Sequence, residues 1–116
     1  MSGHRIGIVG AGTAGLATAI AFARAGHAVD VLEKHPSLAT LGAGVLIQPQ
    51  GVAALDELGV GAAFEAISVP IERLVGQCER GWTLVDIPYR DLQARAVSRS
   101  ALGGVLEREC VALGVR

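Results

Sequence analysis

Gly10-Ala11-Gly12-Thr13-Ala14-Gly15 stands between a β-branched run and a helix-forming run, and that junction restricts the fold more than any other feature of the chain. Arg5-Ile6-Gly7-Ile8-Val9 has no helical period, stops abruptly at Gly10 and reads as a buried parallel strand. The stretch from Thr13 to Ala25 is rich in Ala and Leu, and Gly26 follows where a helix C-cap glycine belongs. Ala28-Val29-Asp30-Val31-Leu32 reads as a second strand. A helix between two strands at this spacing requires a right-handed crossover with the strands parallel. Residues 5–33 are therefore expected to form one βαβ unit of an α/β, Rossmann-like dinucleotide-binding fold.

Each glycine of the G-x-G-x-x-G spacing has its own physical task. Gly10 permits the tight turn out of the strand. Gly12 lacks the Cβ that would hold a pyrophosphate away from the backbone, and Gly15 lets the helix approach the sheet. Thr13 and Ala14 open the helix, so its unpaired N–H groups and the positive end of its dipole face the phosphates, an arrangement that needs no lysine. Glu33 ends the second strand about 20 residues beyond the glycines, where a carboxylate would accept hydrogen bonds from ribose hydroxyls and repel a 2′-phosphate. Lys34 beside it is placed to touch the adenosine side of the ligand. Up to this point an adenine nicotinamide cofactor and FAD are equally served, since both carry ADP.

Further along, Pro36 to Gly44 reads as loop and Val45-Leu46-Ile47 as a brief apolar strand. Gly51 to Leu58 has helical spacing through Val52, Leu55 and Leu58, with Gly59 as the stop. Ile71 to Cys78 and Trp82 to Ile87 are extended runs around Glu79-Arg80-Gly81, a hairpin closed by Pro88. A last helix is expected from Ser98 or Ser100 as N-cap, with Leu102, Val105, Leu106 and Leu113 on one side, although Gly103 and Gly104 each cost about 1 kcal/mol inside a helix. Leu113 to Arg116 reads as that helix's end followed by the first residues of another strand.

With 51% hydrophobic residues, mean hydropathy +0.46 and net charge -1, the chain is not disordered; 116 residues allow one small domain at most. Arginines are scattered rather than gathered in a stripe, which argues against nucleic acid. The uncharged stretch from Ile6 to Ala23 resembles a membrane segment only in lacking charge, since its glycines and alanines supply little of the transfer energy a spanning helix needs. Cys78 and Cys110 lie far apart with no C-x-x-C and no histidine at ligand spacing; two reduced thiols in a cytoplasmic protein, with no metal site, are expected. His4, His27 and His35 are not spaced as a cluster, His27 reads as a surface residue after the glycine cap, and Asp56 and Glu57 point to different parts of a helix surface.

Beyond the glycine fingerprint the sequence resembles the N-terminal part of the FAD-dependent aromatic hydroxylases, single-component flavoprotein monooxygenases that include p-hydroxybenzoate, salicylate and 6-hydroxynicotinate hydroxylases. Ile8 to Gly15, Val31-Leu32-Glu33-Lys34, Leu41-Gly42-Ala43-Gly44-Val45, Gln48-Pro49 and Ala54-Leu55-Asp56-Glu57-Leu58-Gly59 carry the likeness. Gln50 replaces the Asn common in relatives, and Leu46 replaces a polar or histidine side chain that faces substrate in some of them. The resemblance implies FAD as cofactor, NADH or NADPH as reductant, and O₂ plus a small aromatic compound as substrates. It places Val45 near the cofactor, and it makes Arg99, in Val97-Ser98-Arg99-Ser100-Ala101-Leu102, a charge-assisted donor to a cofactor oxygen. No catalytic side chain is assigned, because the redox chemistry belongs to the flavin and the protein positions the ring and excludes water. The family's later D-G and G-D segments and its substrate-covering sheet have no counterpart here, so residues 1–116 read as the N-terminal part of an FAD-binding domain, without turnover alone. Alternatives are another FAD-dependent oxidoreductase, such as an amine oxidase or halogenase, and a non-catalytic nucleotide-binding module.

Overall fold

A computed structural model describes residues 3–36 and 43–116. Strand β1 (Arg5–Val9) and strand β2 (Ala28–Leu32) pair in parallel with Arg5 opposite Ala28 and Val9 opposite Leu32, and helix α1 (Thr13–Arg24) makes the crossover. The period of two then divides the residues. Val29 is buried and Ile8 and Val31 pack on the core, whereas Val9 and Leu32 lie on the opposite, open face. Gly26 adopts φ +89 just past α1, the left-handed conformation a C-cap glycine takes up without a Cβ penalty.

Strand β3 (Gly44–Ile47) follows, and helix α2 (Pro49–Glu57) starts two residues earlier than the hydrophobic spacing indicates, because Pro49 occupies the first turn where its missing N–H is no loss. Gly59 ends it with φ +80, and an added Cβ there would also strike the Arg24 guanidinium. Three elements escape sequence reading: helix α3 (Gly61–Ile67), strand β4 (Val69–Ile71) and, beyond the hairpin, strand β7 (Ala94–Ser98). The helix is two turns long and anchored by the buried Phe64; β4 is a short edge strand that tolerates Pro70. β7 runs between β3 and β4, antiparallel to both, and is recognisable only by those pairings.

Strands β5 (Arg73–Gln77) and β6 (Thr83–Pro88) form the expected hairpin, with Gly81 at φ +82 in its turn and Pro88 as the last residue of β6. Its base is tied down by Tyr89, whose N–H donates to the Glu72 carbonyl at 2.9 Å and whose hydroxyl donates to Gln48 Oε1 at 2.9 Å. Helix α4 (Arg99–Ala112) begins at Ser98, whose hydroxyl accepts from the Ala101 N–H at 3.2 Å. It continues through Gly103 and Gly104 because Leu102, Val105, Leu106 and Cys110 bury themselves against α1 and its neighbours. Past α4, the Arg116 N–H donates to the Val29 carbonyl and its carbonyl accepts from the Val31 N–H. That is the parallel ladder pattern, on the edge of β2 away from β1.

His4 and His27 differ from the sequence reading. The β1–β2 register brings the starts of both strands side by side, so the two rings stack at 5.5 Å, and His27 Nδ1 accepts from the His4 N–H at 3.1 Å. His27 is half-buried against Phe22 rather than a free surface group. Leu41 and Gly42 of the family-like stretch lie outside the described residues.

Candidate dinucleotide site

The three glycines of the turn answer to different causes. Gly10 has φ +102, and its N–H donates to the Leu32 carbonyl at 2.7 Å, extending the β1–β2 ladder by one step. A Cβ on Gly15 would fall 2.0 Å from the Gly10 carbonyl oxygen, so the start of α1 can approach the turn only with glycine there. Gly12, the N-cap of α1, is different. Its φ of -75 and ψ of -177 suit any residue, and a Cβ added to it would meet nothing within 4 Å. Among the described residues nothing requires glycine at that position, and the space in front of it is open.

The first hydrogen bond of α1 runs from the Leu16 N–H to the Gly12 carbonyl at 3.0 Å. Among the described residues, the N–H groups of Gly12, Thr13 and Ala14 have no acceptor, as expected of a helix start, and no side chain caps them. Thr13 and Ala14 are both exposed. Backbone donors, the helix dipole and an unobstructed approach thus converge on one spot, the arrangement that receives an anionic phosphate without a cationic side chain.

Glu33 sits at the rim of this spot. Its Oε2 accepts from the Ala11 N–H at 2.7 Å and its Oε1 from the His35 N–H at 3.1 Å. These two bonds, the first foremost, hold its carboxyl below the usual carboxylate range despite some desolvation. Sequence reading expected Glu33 to face a ribose and missed the link to Ala11, since any residue supplies that N–H and no side chain marks it. Lys34 is exposed, with no side-chain partner among the described residues. A cleft of about 270 Å³ opens beside Glu33, lined by Ala11, Leu16, Val31, Cys110 and Val115 among others. Burial pushes the Cys110 thiol up, and its Sγ–H points to the Leu16 carbonyl at 3.5 Å, so it serves as wall rather than nucleophile.

Val45 lies in β3 of the second sheet, and Arg99 is the first residue of α4, directly after β7. Val45 pairs with Val97, Gly44 with Ser98, and Arg99 is the next residue, so β3 and β7 bring the two close together. The Val45 side chain packs against the core. Arg99 is exposed at the first position of α4. Among the described residues, no hydrogen bond or ion pair connects this pair with the glycine turn.

Set against known proteins, residues 4–114 match the family described as FAD binding domain. The chain is 40% identical over 72 residues to 3-hydroxybenzoate 6-hydroxylase 1 of Aquipseudomonas alcaligenes, a match covering 62% of this chain and 18% of that protein. It is 43% identical over 63 residues to salicylate hydroxylase of Pseudomonas putida, covering 53% and 14% respectively. Its fold superposes on 2-methyl-3-hydroxypyridine-5-carboxylic acid oxygenase with a TM-score of 0.86 and 28% identity, over 99% of this chain and 31% of that one. The matched region thus spans under a fifth of these two hydroxylases and under a third of the solved oxygenase. With nearly its whole length inside the family's bounds and a fold shared with a solved oxygenase, the chain belongs to the FAD binding domain family.

Proposed function

We propose that this chain holds FAD for a monooxygenase that hydroxylates a small aromatic substrate, with NADH or NADPH as reductant and O₂ as co-substrate. The single observation that carries the reading is Gly12, a glycine that neither φ nor internal packing demands, standing before unpaired N–H groups at a helix start. A diphosphate needs that absence of a side chain. Gly10 and Gly15 hold the turn in shape, and the N–H groups of Gly12, Thr13 and Ala14 receive the phosphates. Glu33 accepts from the ribose hydroxyls and Lys34 flanks the adenosine.

Val45 in β3 and the Arg99 guanidinium at the start of α4 are assigned to the flavin side of the cofactor. Bound FAD supplies the redox chemistry for ring hydroxylation, and this chain's own contribution is to bind and orient it. The donor set suits the group, because the turn offers a doubly negative diphosphate unpaired backbone N–H donors, and Glu33 at its rim is assigned to the sugar. The names of the relatives support an aromatic substrate: two are hydroxylases of hydroxybenzoate or salicylate. Two free cysteines among the described residues suit a reducing cytoplasm. Because the matched region covers 18% of 3-hydroxybenzoate 6-hydroxylase 1, these 116 residues are expected to bind cofactor without completing hydroxylation.

Isothermal titration with FAD, and with ADP as competitor, tests the reading. Gly12→Val should weaken FAD binding by at least about tenfold while the free chain still folds, losing about 1 kcal/mol, or a few degrees in melting temperature, to the poorer N-cap. Unchanged FAD affinity in that variant would overturn the assignment.

A further inference from the structure

We propose that Glu33 is a positioning residue as well as a sugar acceptor: its carboxylate clasps the glycine turn through the Ala11 N–H and sets the shape of that turn before any nucleotide arrives. The sugar-accepting half rests on the function proposed above. The clasp does not.

Two consecutive N–H groups of the turn are tied to the end of β2. Gly10 donates to the Leu32 carbonyl and Ala11 to Glu33 Oε2, both at 2.7 Å. The next three N–H groups, of Gly12, Thr13 and Ala14, lack acceptors among the described residues. Glu33 therefore marks the boundary between donors spent on holding the turn and donors left open for an anion. The turn needs such a restraint. It contains two glycines, the residues with the most backbone freedom to lose, and no turn side chain hydrogen-bonds to it.

The carboxylate is itself fixed by the His35 N–H on its other oxygen, so it does not swing freely. An ionised carboxylate offers about four lone-pair sites, and Ala11 and His35 occupy two of them. The remaining sites can meet a vicinal diol without releasing Ala11. Sugar binding and turn geometry thus share one group, and removing that group should weaken nucleotide binding twice over.

Protonation provides the readout. The groups around Glu33 are Lys34 and His35 on its own turn, and Glu107 and Arg116 on the walls of the adjoining cleft. Its folded-state value lies below the ordinary 4.5 because the ionised form accepts two backbone donors. The clasp is accordingly at full strength at neutral pH and weakens as pH falls through a midpoint below 4.5, where the acceptor loses its charge.

The test is amide NMR on the nucleotide-free chain from pH 7 to 3, on wild type, Glu33→Gln and Glu33→Ala, followed by titration with ADP. In wild type the Ala11 amide should exchange about tenfold or more slowly than that of Gly12, the size expected for a hydrogen bond to a charged acceptor. Its chemical shift should titrate with a midpoint below 4.5. Glu33→Ala should abolish both signatures and weaken ADP more than Glu33→Gln, which keeps one acceptor oxygen for Ala11 and checks that the site still folds. Equal exchange of Ala11 and Gly12 in wild type, or Ala11 protection that survives Glu33→Ala, would refute the clasp. A protected Ala11 in a chain that fails to bind ADP would support the clasp and sink the dinucleotide reading instead.

Discussion

Gly12 and Gly15 are the same residue type three positions apart, yet they answer to opposite demands. Gly15 is required by the chain itself, because its Cα faces the Gly10 carbonyl at a distance no Cβ can share, and the obstacle is backbone that cannot rotate away. Gly15→Ala should therefore lower stability by about 1–3 kcal/mol, the usual penalty for overpacking, read as a reduced urea midpoint at unchanged slope. Gly12 has no such neighbour among the described residues, so its replacement is expected to act chiefly on ligand affinity, with only the modest folding cost of a poorer N-cap. Asp30 shows a comparable division among charges. It receives both Arg5 and Arg116, and Arg5's hydrogen bond above all holds its carboxyl below the usual aspartate range, but both arginines are largely exposed. The pair tidies the edge of β2 more than it stabilises the fold.

At the scale of elements, the chain gains its order from helix-on-helix burial rather than from intrinsic propensity. Helix α4 carries two consecutive glycines and would be marginal alone, yet Leu102 and Leu106 are among the most completely buried side chains of the molecule. Leu106→Ala should cost about 2–5 kcal/mol, whereas Ser98→Ala, which removes only the N-cap acceptor, should cost about 1 kcal/mol. Chemical denaturation of the two variants side by side would check that ratio; equal losses would mean that the cap, not the packing, holds α4. Sequence reading located α1, α4 and the hairpin because each has a period and a stop signal of its own. It passed over α3, β4 and β7 for the opposite reason. Ala94-Arg95-Ala96-Val97-Ser98 has no β-rich pattern and becomes a strand because β3 and β4 flank it, while Arg95 reaches across to the Ser68 hydroxyl and carbonyl at the end of α3.

The whole molecule measures 57 × 31 × 22 Å, with a radius of gyration of 16.7 Å against about 13 Å for a compact domain of 100 residues. The β5–β6 hairpin contributes to the excess: all of β6 is exposed, with Leu84 at 70%, and Trp82 at its start is at 71%. A two-stranded sheet is marginal by itself, so the amides of β5 and β6 should exchange with solvent on the order of 100-fold faster than those of α1 and α4. Exchange mass spectrometry would show this, and matching protection across all four elements would contradict it. The face of β1–β2 away from the helices is similarly open, with Val9 88% exposed, although parallel sheets are usually covered on both sides. Among the described residues no helix is long and apolar enough to cross a membrane. What the sequence alone determined is the βαβ unit and its glycine turn, because a strand, a glycine-bounded corner and an Ala-rich helix are specified by neighbours within a few residues. It also supplied Glu33 as the acidic partner, by spacing. Only tertiary structure decided that this carboxylate holds Ala11, that β7 exists, and that β3 pairs with the strand leading into Arg99, since each depends on contacts between residues more than 20 positions apart that carry no local signature.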